Sequence, residues 1–367
     1  GAEDALAWQH FYGEVAMFAE RIAPYMLQPL KSRSELKAAI DLPEIWKYLI
    51  EAPIGEIINA RFKSDLVKGV VLTDALIGTH ASADDLLANI CFLYHLIGNG
   101  TGEWKVPKGG MGALVKELER VALAAGVEIR TNSKVTAIAS QSDSVTATIE
   151  NGDQFVASHL LSNAAPQVLA KLRNKPKPAS LSGAQFKINM LLKKMPRLKS
   201  GIAPELAFAG TFHISEKFSQ LESSYQESMA GKLPACFPSE MYCHTLSDPS
   251  ILSPELQAAG YQTLTLFGLH TPAELFDADN EATKAAALAG FIAARVGTWS
   301  GGYWLSFGER PETFFVPALL IFTLPLWMKQ DHYSGFAPIY RVFGCLMLLL
   351  PVLVLSNWGD ASYLPWD

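Results

Sequence analysis

Residues 102–166, GEWKVPKGGMGALVKELERVALAAGVEIRTNSKVTAIASQSDSVTATIENGDQFVASHLLSNAAP, restrict the fold more than any other part of the chain. A glycine cluster, Gly109, Gly110 and Gly112, leads into a run where Met111, Leu114, Val115, Leu118, Val121, Ala122 and Ala125 recur at three- and four-residue steps. That spacing puts one apolar stripe on a helix. Gly126 supplies the left-handed position that ends it. Val127 and Ile129 start a strand and 134–139 continues as a second. Val145, Ala147 and Ile149 then alternate with Thr146 and Thr148, the period of a half-buried strand. Asn151-Gly152 is a hairpin turn, and 154–161 returns as the partner strand. The block reads as a helix followed by a small β-meander, closing in the small-residue loop Ser162-Asn163-Ala164-Ala165-Pro166.

Around it, apolar spacing predicts helices over 5–30, 34–50 and 82–97, the last two each opened by a serine able to cap it. Strands are expected over 186–192, within 204–214 and over 261–269, and a helix over 280–296 capped by Asp279 or Asn280. The runs 314–327 and 342–355 are almost wholly apolar but carry Pro317, Pro325 and Pro351. Each would span roughly 21 Å as helix, short of the ~30 Å hydrocarbon core. A hairpin dipping into a membrane, a buried helix pair and a non-native tail are all open readings of them.

With 367 residues, 49% of them hydrophobic and 18% charged, the chain can bury a sizeable core. Thirty basic against 36 acidic residues, a net charge of -6, give no field to attract nucleic acid, so none is expected as a partner. Cys91, Cys236, Cys243 and Cys345 form no C-x-x-C pair and are expected to be ordinary thiols. The first residues show no secretory signal. The eight histidines have neither H-x-x-x-H nor H-E-x-x-H spacing, so no metal site is expected. Glu240, His244 and Asp248, four residues apart among prolines, read as surface groups of a loop. Gly98-Asn99-Gly100-Thr101-Gly102 follows a helix and is no dinucleotide fingerprint. No nucleophile stands out, the pattern of enzymes whose cofactor carries the reactivity.

The turn Trp104-x-Val106 to Gly109–Gly112, its helix, the meander and the closing Ser162-Asn163-Ala164-x-Pro166 resemble the middle of FAD-dependent oxidoreductases of the phytoene desaturase and amine oxidase superfamily. Within it the resemblance is to the phytoene-dehydrogenase-related branch that includes the pyridine nucleotide-disulphide oxidoreductase domain-containing protein 2 group. The segments 186–189, 234–254, 261–272 and 280–296 add to it, so that it covers about 1–298.

The resemblance implies an α/β (α+β) chain with an incomplete two-domain FAD-dependent oxidoreductase fold. Residues 1–104 would be the helical part of a substrate domain, 105–170 a partial FAD domain, 171–298 the substrate-domain sheet with its returning helix, and 299–367 an apolar tail. Gly109, Gly110, Met111, Gly112, Val135 and Asn163 would lie against FAD, with backbone at 134–136 offered to its adenine end. Lys187 is the one catalytic candidate, its other reading being a solvent-facing lysine at a strand edge. The intact enzyme would pass hydride from an apolar or amine substrate to FAD. The family's dinucleotide fingerprint would precede Gly1, and its second FAD segment is replaced by 299–367, so this chain alone is expected to bind FAD weakly or not at all. The alternative is a non-catalytic, membrane-associated binding protein, or a truncated remnant of such an enzyme. The expected location is cytoplasmic, with 314–327 and 342–355 as the segments that would meet a membrane.

Overall fold

The structure, a computed structural model, describes residues 1–98, 100, 102, 105–179, 183–198 and 200–299, with 293–299 by backbone alone. Trp104, Cys345 and the apolar runs 314–327 and 342–355 lie outside the described residues. The chain divides into two compact units, Gly1–Gly109 joined by the described residues from Gly183 onward, and Gly110–Ser182. Both antiparallel sheets and the helices around them make the fold mixed α/β. No helix among the described residues is long and apolar enough to cross a membrane.

The first unit opens with a helical layer. Ala2–Ile22 runs as one helix and ends in a 3-10 turn, Ala23–Tyr25, where Pro24 removes an amide donor. The single helix expected over 34–50 is divided. Ser32, not Ser34, caps Arg33–Ile40 in a reciprocal box with Glu35. Asp41 then turns left-handed, Pro43 opens a short helix to Trp46, and Lys47–Glu51 is a π turn. Ile54–Arg61 and Asp65–Leu76 follow. The helix expected from Ser82 starts at Leu86, capped by Asp85 on the Leu87 amide at 2.8 Å. It runs to Ile97, and Gly98 and Gly100 behind it take positive φ, as a helix exit requires. Phe11, Phe18, Trp46, Phe62 and Phe92 fill the core among these helices.

Buried Asn89 holds the layer together. Its amide donates to the carbonyls of Leu49 at 3.0 Å and Ala52 at 2.9 Å, and its oxygen accepts the Ile54 amide at 3.0 Å. It thereby satisfies backbone groups that the π turn and the following helix start leave unpaired.

Four strands complete this unit: β4 (Phe186–Leu192), β5 (Phe212–Ile214), β6 (Ser239–Tyr242) and β7 (Gln262–Gly268), in the order β4-β7-β6-β5. Alternation gives the sheet two unlike faces. Phe186, Ile188, Leu192, Phe212, Ile214, Met241, Leu264 and Leu266 share one core with Phe291 of the Asn280–Trp299 helix, whose first turn is capped by Asp279 on Ala282 at 3.0 Å. Gly268 is required there, because a Cβ would stand 2.1 Å from the Phe291 ring. The register Lys187–Phe267–Glu240–His213 forms one row across the opposite face.

In the second unit Gly110–Ala124 is the expected helix, and β1 (Val135–Ser140), β2 (Val145–Ile149) and β3 (Gln154–Ala157) the expected meander. Residues 127–129 form no strand, because no neighbouring strand among the described residues takes up their backbone bonds. The helix buries none of its side chains; Met111 and Leu118 are each 61% exposed.

Candidate functional site

Chemistry-bearing side chains converge on the polar row of the first unit's sheet. His213 stands on β5, and Ser215 just beyond it has φ +54, the left-handed region that β-strand continuation excludes. The reversal brings Glu216 back under His213, whose Nδ1 hydrogen-bonds Glu216 Oε2. Glu240 enters from β6 directly opposite His213 and accepts from the Tyr242 hydroxyl. The Asp65–Leu76 helix supplies the floor. Gly69 lies so close that a Cβ would fall 1.8 Å from the Glu216 carbonyl oxygen, and Thr73 shares its hydroxyl proton between Gly69 O at 3.0 Å and Glu216 Oε2 at 3.3 Å.

Burial sets the electrostatics. Glu240 is 3% exposed and Glu216 2%. Loss of solvent, then the nearby Glu216 and least of all Asp74, push the Glu240 carboxyl up to about 8, against the opposing effects of Tyr242 and His213. Burial works against charge on His213, but the bond from Glu216 and the negative field of Glu216, Glu240 and Asp74 prevail and raise its imidazolium above the ordinary range. Asp74 is raised by burial and accepts from the Tyr12 hydroxyl. Chemically this is a proton-holding nest with one half-buried imidazole at its edge.

A second nest lies in the same unit. His270 has φ +52, is 1% exposed, and neither ring nitrogen has a hydrogen-bond partner among the described residues. Its ring packs against His80 and Tyr225, with centroids 6.0 and 5.6 Å away. Burial and the neighbouring His80 depress its pKa to about 3. Ser228 donates to Tyr225 O at 2.7 Å, so His80 Nε2, 2.8 Å from the same hydroxyl, must donate to it.

The residues expected from sequence are placed as follows. Lys187 is exposed on edge strand β4, its Nζ 4.9 Å above the Phe267 ring, within the same row as Glu240 and His213. Gly109 and Gly110 have φ of +85 and +74 at the helix start. The Gly109 amide donates to Asp248 Oδ2 at 2.6 Å. Met111, Gly112 and Asn163 are exposed and Val135 half-buried; none of the six is enclosed. A bulge skips Thr136 between Val135↔Ile149 and Ala137↔Thr148, leaving that residue without a ladder partner. Cys91, Cys236 and Cys243 are free thiols.

One expectation is corrected: Glu240 is no loop group but a buried strand residue, whereas His244 is exposed and Asp248 bonds Gly109. Spacing missed the His213, Glu216 and Glu240 cluster, because its members join through strand pairing rather than along one helix. The H-x-x-E step from His213 to Glu216 was its only local signal.

Residues 12–240 match the family described as flavin containing amine oxidoreductase. The chain belongs to that family. The chain is 41% identical over 290 residues to an uncharacterized protein of Mycobacterium tuberculosis and to one of Mycobacterium bovis, covering 75% of this chain and 54% of each of theirs. It is 26% identical over 276 residues to the pyridine nucleotide-disulfide oxidoreductase domain-containing protein 2 of Mus musculus, covering 67% and 47%. The chain thus spans about half the length of the curated relatives it matches. The family match takes in the helical layer, the Gly109–Gly112 turn, the meander and the row as far as Glu240.

Proposed function

We propose that this chain forms the substrate side and part of the FAD site of a flavin-dependent dehydrogenase of the phytoene desaturase type, acting on an apolar or amine substrate. The observation that carries the reading is the family match over residues 12–240. One local feature fits a bound FAD. The bulge at Thr136 leaves backbone outside the ladder, at the segment assigned to the adenine end.

Gly109, Gly110, Met111, Gly112, Val135 and Asn163 are the residues assigned to holding the cofactor. When bound, FAD supplies the acceptor for a substrate hydride. The chain's own residues bind and orient. Phe267 and Tyr242, edge-to-face at 5.8 Å, offer aromatic surface on the polar row, and Lys187 caps it with a cation. His213 is fixed beside Glu240 by its Nδ1 bond to Glu216.

The test is equilibrium dialysis of the full chain against FAD, read by visible absorption of the retained flavin. Weak, saturable retention that falls further in Gly112→Leu is expected; a chain that retains none overturns the cofactor assignment for this chain. In flavin-loaded protein, Lys187→Met is expected to slow anaerobic bleaching by substrate while retention stays unchanged. Equal bleaching rates would reduce Lys187 to an edge-strand lysine.

A further inference from the structure

We propose that His213, Glu216 and Glu240 form a binding site for one divalent cation of the manganese-to-zinc series. One ligand atom from each lies within 4.8 Å of the other two. Bonds of about 2.0–2.2 Å to a common ion place two donors at most ~4.4 Å apart, so closure needs only side-chain adjustment. The donors come from β5, the left-handed reversal after it and β6, which fixes them on backbone already held by the sheet ladder.

An independent feature points to a missing partner. Glu216 Oε1 is buried and accepts no hydrogen bond from the described residues, although Oε2 of the same carboxylate accepts from Thr73 and His213. A buried carboxylate oxygen left this way needs an ion or a water. Glu216, Glu240 and Asp74 stand together around His213, and a cation entering there displaces the protons they share. The outer shell of a metal centre is also present: the Tyr242 hydroxyl holds Glu240, and the Thr73 hydroxyl holds Glu216.

The donor set selects the class of ion. One imidazole with two carboxylates suits manganese, iron, cobalt or zinc, whereas calcium takes six to eight oxygens. Three protein donors leave at least one coordination position for water or a substrate atom. His213, the half-buried member, is the side from which that position meets solvent.

The experiment titrates the chelator-treated full chain with cobalt(II) and then zinc, without FAD, so that its failure leaves the flavin reading intact. One equivalent of cobalt should develop visible ligand-field bands that zinc erases, and either ion should raise Tm in a concentration-dependent way. His213→Gln and Glu240→Gln should each weaken binding by well over tenfold, and Tyr242→Phe by about tenfold. Wild-type protein with neither bands nor a Tm shift overturns the site, as does one-equivalent binding that both ligand variants retain in full. Should a ligand variant not fold, the wild-type titration and Tyr242→Phe decide the matter; undiminished binding by Tyr242→Phe then counts against the site.

Discussion

Glu240 ties the stability of the fold to pH. Its carboxyl is at about 8 in the folded protein against 4.5 as a free side chain. Stability contributed by the protonated group is therefore complete below pH 4.5 and is lost as pH rises to about 8. In chelator-treated buffer, Glu240→Gln should flatten that alkaline decline, worth on the order of 1–4 kcal/mol at about 1.4 per unit. Urea midpoints at pH 5 and pH 9 measure it, and parallel declines in both proteins would count against it. His270 works in the opposite sense. Its folded value of about 3 lies below the ordinary 6.5, so its contribution is present above 6.5 and drains away as pH falls towards 3. His270→Asn, which tolerates the left-handed backbone, should show a shallower acid limb in the same assay. Neither residue was legible as buried. Pro234, Pro238 and Pro249 made the Glu240 segment look like a loop, and only the β5–β6–β7 pairing puts it inside.

Elements were legible where periodicity is local and obscure where distant groups decide. The strands 134–139, 145–149, 186–192 and 261–269 emerged within a residue or so of their observed limits, since each carries its own period, whereas the return strand expected over 154–161 stops at Ala157. The split of 34–50 did not emerge, because its π turn depends on Asn89 reaching over from another helix. Asn89→Ala should cost about 1–3 kcal/mol for the polar groups it strands, seen as a lower urea midpoint. No change would mean that water replaces the amide. Gly69→Ala tests a different joint. Its methyl would drive against the Glu216 carbonyl, costing about 1–3 kcal/mol of overpacking and displacing Glu216 from His213. A shifted His213 imidazole titration by NMR would report the displacement, and an unmoved titration would contradict it.

Across the whole molecule, the mixed fold and its family were legible, but the strand order β4-β7-β6-β5 was not, since it closes contacts between distant segments through a strand the sequence hid. The second unit carries its own expectation. Val115, Leu118 and Val121 lie solvent-exposed on one helix face, with Val127 and Ile129 exposed just past its end. An apolar stripe of this kind binds hydrophobic dyes. Val115→Glu with Leu118→Lys should lower dye fluorescence roughly severalfold without altering helix content by circular dichroism. Unchanged fluorescence would place the dye elsewhere. The polar row on the other sheet has a consequence for how the chain assembles. A slip of β6 by one residue would thrust the Glu240 carboxylate among Leu264, Leu266 and Phe291 and eject Met241 into the acidic nest. A one-residue slip is thus penalised twice, and the cluster that holds protons also proofreads the sheet as it zips.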